Sequence, residues 1–321
     1  MSIELKRCAR FVVAAAVILF LVDAILGWCL RYLERNMRGG ERARTYYAAY
    51  RADADVFVFG SSRALYHYNP GVMTEVLGMT VYNAGRSAQT VLYHTPLLKM
   101  ILKRHRPKLV VLDINENEFV RDQQKYDIVN YLLPYYGEAA VRDIVDEVKP
   151  SYRYFAWSKS LPYNSSMISM LWRTVRPETG GRSDGFAPVF GHRSKGDSLV
   201  DNCRARVDID ERIVTAFDDF LLACRNAKVP VLIVISPRYT RFLCDRAEVA
   251  KISKEATKWG VQILDFSQSG KFQSNPQWMY DVAHLNSEGA TEFSRDVASF
   301  LIENGYADGR VSDMARHRQS P

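Results

Sequence analysis

Five short stretches of the chain are dense in Val, Ile, Leu and Phe, and polar residues break in on both sides of each. They are DVFVFG (55–60), MTVYNAG (79–85), KLVVLDIN (108–115), VPVLIVIS (229–236) and VQILDF (261–266). Several are almost continuously apolar, the pattern of parallel strands covered on both faces. Periodic helical patterns occupy 90–104, 211–226, 245–259 and 287–304. Strands alternating with helices predict right-handed βαβ units and a doubly wound parallel sheet.

Two regions break this rhythm. Residues 116–210 form an insertion between the third and fourth strands. Its aromatic-rich part, YRYFAWSKSLPYNSSMISMLW from Tyr152, reads as helical, with its rings as core or as a sugar-stacking platform. The part from Arg176, rich in Gly, Pro and Ser, reads as a long loop. At the amino terminus, FVVAAAVILFLVDAILGWCL (11–30) is long enough to cross a bilayer as a helix. Lys6, Arg7 and Arg10 precede it and Arg31, Arg35, Arg38, Arg42 and Arg44 follow it, so flanking charge leaves both orientations open. Asp23 interrupts the run, and a carboxylate in lipid calls for a proton or for a partner on another membrane helix. A retained anchor is the expectation. A cleaved signal with VDA at its cleavage site, and a buried soluble helix, are the other readings. The resulting division is 1–33 with the transmembrane helix, 34–50 as a helical stalk or linker, 51–306 as the α/β domain, and 307–321 as a mobile tail.

Composition narrows the classes. The chain has 321 residues and a formal charge of +7, from 43 Lys and Arg against 36 Asp and Glu. No basic stripe interleaved with aromatics points to nucleic acid. Five cysteines (Cys8, Cys29, Cys203, Cys224, Cys244) show no CxxC spacing and no accompanying His cluster, so neither zinc nor a full disulfide framework is expected. One bridge among the last three stays open, and Cys224 falls on an apolar helical pattern as a core residue.

In an open parallel sheet, ligands bind beyond the carboxyl ends of the strands. Gly60-Ser61-Ser62-Arg63 follows the first strand, Asn83-Ala84-Gly85-Arg86 the second, Asp113-Ile114-Asn115-Glu116 the third and Ser236-Pro237-Arg238 the fourth. YDVAHLNSEG, with Asp281 and His284, precedes the last helix. A serine, a glycine, an asparagine and an Asp/His pair at one edge supply a nucleophile, oxyanion donors, a base and its orienter, the equipment of acyl transfer. Serine needs a base near neutral pH, and imidazole is one. A carboxylate three residues before it fixes the ring tautomer. Ser62 is the nucleophile candidate, with Ser61 the alternative; Ser62 as a helix cap is the structural reading. Arg63, Arg86 and Arg238 are candidates for an anionic substrate group, or else solvated or ion-paired arginines. Asp113 ends its strand or pairs with an arginine. His67 and His94 read as surface or core residues.

The blocks FGSSRALYHYNP, YNAGRSAQT, LDINENEF and YDVAHLNSEGA, spread over 59–290, resemble those of the SGNH (GDSL-like) hydrolase superfamily. They look nearest to its membrane-anchored branch with GSS in place of GDS, which includes DltD-like and polysaccharide O-acylation proteins. The resemblance implies a three-layer α/β/α sandwich around a five-stranded parallel sheet, flavodoxin-like in outline. It implies Ser62, His284 and Asp281 as catalytic residues, and Gly85 and Asn115 as oxyanion donors. The third block departs from the usual Gly-x-Asn-Asp, and Asn117 competes with Asn115. The implied activity is that of a serine esterase or O-acyltransferase without cofactor or metal. Its substrate would be ester-linked acyl groups, acetyl foremost, of a cell-envelope glycan, exopolysaccharide or lipid-linked donor. The implied setting is a single-pass cell-membrane protein with an extracytoplasmic (periplasmic) domain and an integral membrane acyltransferase as candidate partner. The alternative is a catalytically degenerate accessory protein that binds a polysaccharide or such an acyltransferase.

Overall fold

A computed structural model describes residues 3–37, 39–175, 184–194, 198–202, 208–242 and 246–307. The expected tail beyond 307, residues 176–183 and 195–197 of the Gly/Pro/Ser-rich loop, and Cys203 and Cys244 lie outside the described residues. The chain divides into two compact units, 1–46 with 129–179, and 47–128 with 180–321.

The second unit is α/β. Its sheet has five parallel strands: β1 (Val56–Phe59), β2 (Val81–Asn83), β3 (Leu109–Asp113), β4 (Val231–Ile235) and β5 (Gln262–Asp265), in the order β2-β1-β3-β4-β5. Each lies inside one of the five apolar runs. Every residue of β1, β3 and β4 is buried, which explains why these runs lack polar alternation. The register pairs Val56 with Leu109 and Phe59 with Leu112 across β1 and β3. Side chains alternate between the two faces. Val56 and Val58 pack with Phe293, Val297 and Leu301 of helix Ser287–Glu303 and with Tyr68 and Met73. Phe59 meets the rings of His94, from helix Val91–Leu102, and Phe220, from helix Glu211–Asn226.

Two short helices unmarked by the apolar periodicity, Ser62–His67 and Pro70–Leu77, follow β1. Asn69 caps the second by accepting from Gly71 N–H (3.1 Å), with Pro70 at its first position. The start and end of the long insertion are pinned together. Val120 bridges Ile209, Arg121 N–H donates to Asp208 O (2.8 Å), and Asp210 N–H donates to Phe119 O (2.8 Å).

The first unit is built on one helix, Ile3–Asn36, long and apolar enough to cross a membrane. Phe11, Ile18, Leu19 and Ile25 on it are exposed, whereas Leu30 and Glu34 are buried. Leu30 packs with Tyr163 and Met170, flanked by Leu33, Met37 and Met167. Glu34 accepts from Tyr135 Oη and Tyr163 Oη (both 3.1 Å) and pairs with Arg42 (3.6 Å). Asp23, expected to need a proton or another membrane helix, accepts instead from residues 158–160 of the insertion. The donors are Ser158 Oγ (2.7 Å), Lys159 N–H (2.7 Å), and Ser160 through Oγ (2.5 Å) and N–H (3.3 Å).

Gly60, between β1 and helix Ser62–His67, has φ +143°, and a Cβ there would stand 2.5 Å from Asp113 O. Only glycine makes this turn without moving β3. Gly60→Ala is expected to destabilise the chain by ~2 kcal/mol, or roughly 4–8 °C in Tm. Thermal unfolding with Tm unchanged would refute the constraint.

Candidate active site

The chain runs from β1 to β2 at one side of the sheet and on to β3 at the other. The mouth between β1 and β3 is therefore the topological switch point, where open α/β sheets bind ligands. The turn Gly60-Ser61-Ser62 stands there. Ser61 is the N-cap residue of helix Ser62–His67 and makes no side-chain cap bond; its Oγ accepts from Asn115 Nδ2 at 2.9 Å. Ser62 is the first helical residue, so its N–H has no acceptor within the helix. Its Oγ lies 2.8 Å from His284 Nε2.

His284 sits on a tight loop closed by the Met279–Leu285 bridge and by Tyr280 N–H to His284 O (2.8 Å). Its Nδ1 lies 2.8 Å from Asp281 Oδ2. Asp281 Oδ1 also accepts from the N–H of Ala283 (2.7 Å) and of His284 (2.9 Å). Partial burial pushes the Asp281 carboxyl up, but the hydrogen bonds from His284 and Ala283 outweigh it and hold it below the ordinary carboxylate value. An ionised Asp281 accepts the hydrogen bond from Nδ1–H and so keeps the proton on Nδ1, which leaves Nε2 as an acceptor facing the Ser62 hydroxyl.

Two residues of the serine helix hold this loop. Tyr66, one turn after Ser62, sets its ring edge-on to His284 (5.4 Å between centroids) and its hydroxyl 3.1 Å from Ser87 Oγ. His67, one turn after Arg63, is fully buried, and its Nε2 accepts from Leu285 N–H at 2.9 Å. Burial, then the nearby His284 and Arg63, push its pKa well below the usual imidazole value, so the ring is the neutral acceptor that this bond requires. Asn286 caps the last helix through Gly289 N–H (3.0 Å), and a Cβ at Gly289 would meet Trp278 O at 2.3 Å.

Beneath the turn lies a buried ionic cluster. Arg63 is 2% exposed and donates to Glu116 Oε1 (3.3 Å), Ile114 O (3.1 Å) and Ser236 O (3.3 Å), with Glu116 Oε2 at 3.1 Å and Asp113 Oδ1 at 4.0 Å. Tyr68 Oη (2.8 Å) and Ser236 Oγ donate to Asp113 Oδ2. Arg63 thus ties the ends of β1, β3 and β4 together, the ion-paired alternative of the sequence reading. Arg238 reaches Glu116 Oε2 at 3.5 Å. Arg86 is buried with its guanidinium over the Tyr93 ring (5.5 Å). Burial raises Asp113 to about 6, against the lowering by Arg63 and the two hydroxyl donors, while Glu116 is lowered because its two arginines outweigh burial.

The two expected oxyanion donors have protein partners. Gly85 N–H donates to Asn83 Oδ1 at 2.9 Å, and a Cβ at Gly85 would stand 2.5 Å from Leu65 N, so this glycine admits the serine helix. Asn115 uses one Nδ2–H on Ser61. Asn117 engages through its carbonyl, which accepts from Lys125 Nζ (2.6 Å). Residues 184–194 are tied to the serine helix and to the start of the last helix, with Ala187 N–H on Leu65 O (3.2 Å) and Ser287 N–H on Val189 O (2.8 Å). They border a cleft of about 530 Å³ lined by Phe190, Gly191, His192, Gln277, Asn286 and Glu288. Among the described residues no group of three or more His, Cys, Asp or Glu could hold a metal ion.

Helical spacing in the sequence carried a signal for Tyr66 and His67, which lie one turn from Ser62 and Arg63. Nothing local pointed to the Asp113–Tyr68–Ser236 contacts. Asp113 keeps a proton in the folded chain between its ordinary value of 3.8 and about 6. Its contribution to stability is therefore complete below pH 3.8 and lost as pH rises through 6. Relative to Asp113→Asn, the parent should lose about 2 kcal/mol between pH 4 and 7. Urea unfolding across that range checks this; a constant difference between the two proteins refutes it. No family model matches the chain, and no curated protein sequence matches it.

Proposed function

We propose that the chain is a membrane-anchored serine esterase or O-acyltransferase of the SGNH type, its α/β unit a three-layer α/β/α sandwich. The observation that carries this reading is the continuous relay from Ser62 Oγ to His284 Nε2 (2.8 Å) and from His284 Nδ1 to Asp281 (2.8 Å). His284 takes the hydroxyl proton as Ser62 Oγ attacks an ester carbonyl, and Asp281 stabilises the imidazolium. The tetrahedral oxyanion is met by the Ser62 N–H and the second Nδ2–H of Asn115; Gly85 N–H joins only on leaving Asn83. Collapse breaks the ester C–O bond, and the departing alcohol takes the proton from His284. Water or a glycan hydroxyl then attacks the acyl-serine as His284 takes its proton; the acyl–Oγ bond breaks, His284 returns the proton to Ser62 Oγ, and the acyl group leaves as the free acid or as a new ester.

The long apolar helix supports a retained anchor over a cleaved signal. Its second half is part of a core, with Leu30 and Glu34 buried and Asp23 bound by residues 158–160. The extracytoplasmic setting, the envelope-glycan substrate and a membrane acyltransferase partner follow from the family resemblance. The second reading, a degenerate binding protein, is favoured by one observation: Gly85 N–H and one Asn115 N–H already have acceptors.

A fluorophosphonate probe separates the two. The enzyme reading predicts that the full chain is labelled and that Ser62→Ala is not. Hydrolysis of an aryl acetate should fall about 10⁴-fold or more in Ser62→Ala and about 10³–10⁴-fold in Asp281→Asn. No labelling of the parent, or labelling that survives in Ser62→Ala, would sink it.

A further inference from the structure

The loop and helix at 155–175 pack on the apolar amino-terminal helix, yet they leave apolar side chains uncovered. In helix Met167–Val175, Met167 and Met170 face Leu30, Leu33 and Met37. Ile168, Leu171, Trp172 and Val175 fall at i, i+3, i+4 and i+7, one stripe of the helix, and all four are exposed. Trp157 in the preceding loop and Trp28 on the long helix are exposed as well, at 59% and 68%. In water such a surface is unfavourable.

Asp23 decides what covers it. At 1.5 Å per residue, Asp23 stands about 18 Å beyond Phe11, still inside a hydrocarbon core of about 30 Å that begins there. Its carboxylate accepts four hydrogen bonds from residues 158–160, and Gly27 lets Lys159 approach so closely that a Cβ would stand 2.3 Å from the Lys159 Cβ. A segment bound to Asp23 must sit at the depth of Asp23. Its polar donors turn inward to the carboxylate, while Trp157 and the stripe of the following helix turn outward. Helix Met167–Val175, in turn, packs on Leu30, Leu33 and Met37, about 28–39 Å beyond Phe11 and so at the far edge of that core, and tryptophan at that edge is the composition of a bilayer interface.

We infer that residues 155–175 are a second membrane element, seated in the lipid interface against the anchor helix, with the stripe Ile168, Leu171, Trp172 and Val175 in contact with acyl chains. This rests on the anchored reading proposed above. The partner is a lipid surface, continuous with the lipid that the anchor helix itself requires.

The test uses the full chain in phosphatidylcholine vesicles whose acyl chains are brominated near the headgroup, since bromine quenches tryptophan on contact. Trp28→Phe and Trp172→Phe should each lower the quenched signal by roughly a third, because three of the five tryptophans lie on this surface. Both positions are exposed, so neither change opens a core. A quenched fraction lowered by Trp28→Phe but untouched by Trp172→Phe overturns the inference, leaves the anchor standing, and gives the stripe to a protein partner or a second copy. No quenching in the parent overturns the anchor and the inference together.

Discussion

The geometry of the site depends on one hydrogen bond, from Leu285 N–H to His67 Nε2 at 2.9 Å. It joins the helix that carries Ser62 to the loop that carries Asp281 and His284, segments more than two hundred residues apart. A contact of 2.8 Å between a serine and a histidine needs both backbones fixed to fractions of an ångström. Side chains alone lose too much rotamer freedom to fix them. A buried imidazole provides the fixing because burial keeps it neutral, and a neutral ring can accept where a protonated one would only donate. Tyr66 adds a wall on the same helix, so Ser62, Tyr66 and His67 act as one rigid face toward the loop.

The serine turn is held from below by charge. Arg63, Glu116 and Asp113 are buried, and removing such groups from water is expensive unless every lone pair and proton finds a partner. Here most do, through two backbone carbonyls, Tyr68, Ser236 and Arg238. The result ties three strand ends together where a doubly wound sheet otherwise splays apart. The need for Gly60 follows, because the turn passes so close to Asp113 O that no side chain fits.

Much of this was readable in residue order, and the boundary has a physical cause. The strands were legible because full burial demands unbroken Val, Ile, Leu and Phe. The Asp281–His284 pair and the Gly60-Ser61-Ser62 turn were legible because their geometry is local. Arg63 and Asp113 were legible only as ion-pair alternatives and His67 only through its helical spacing, since their partners lie 45 to 218 residues away and residue type alone does not name them. Gly85 shows a subtler limit. Glycine after a strand suggests an open N–H, but here it serves the approach of the serine helix while its N–H turns to Asn83. The insertion was seen as one excursion, whereas 129–179 groups with the amino-terminal helix and its flanks group with the sheet. Its aromatic residues gave no hint of that partner, because an apolar surface does not state what it faces.

The two units divide the physical tasks. Ser62, His284, Asp281 and the groups that hold them all belong to 47–128 and 180–321, whereas the long apolar helix, Asp23 and the exposed apolar stripe of helix Met167–Val175 belong to 1–46 and 129–179. Each unit has its own buried cluster and its own buried ion pair, Arg63 with Glu116 in one and Arg42 with Glu34 in the other. Energetic effects of substitutions in separate clusters with no shared partners add rather than couple. Substitutions in the Ser62–His284–Asp281 relay and on the apolar surface of the amino-terminal helix are thus expected to act independently of one another.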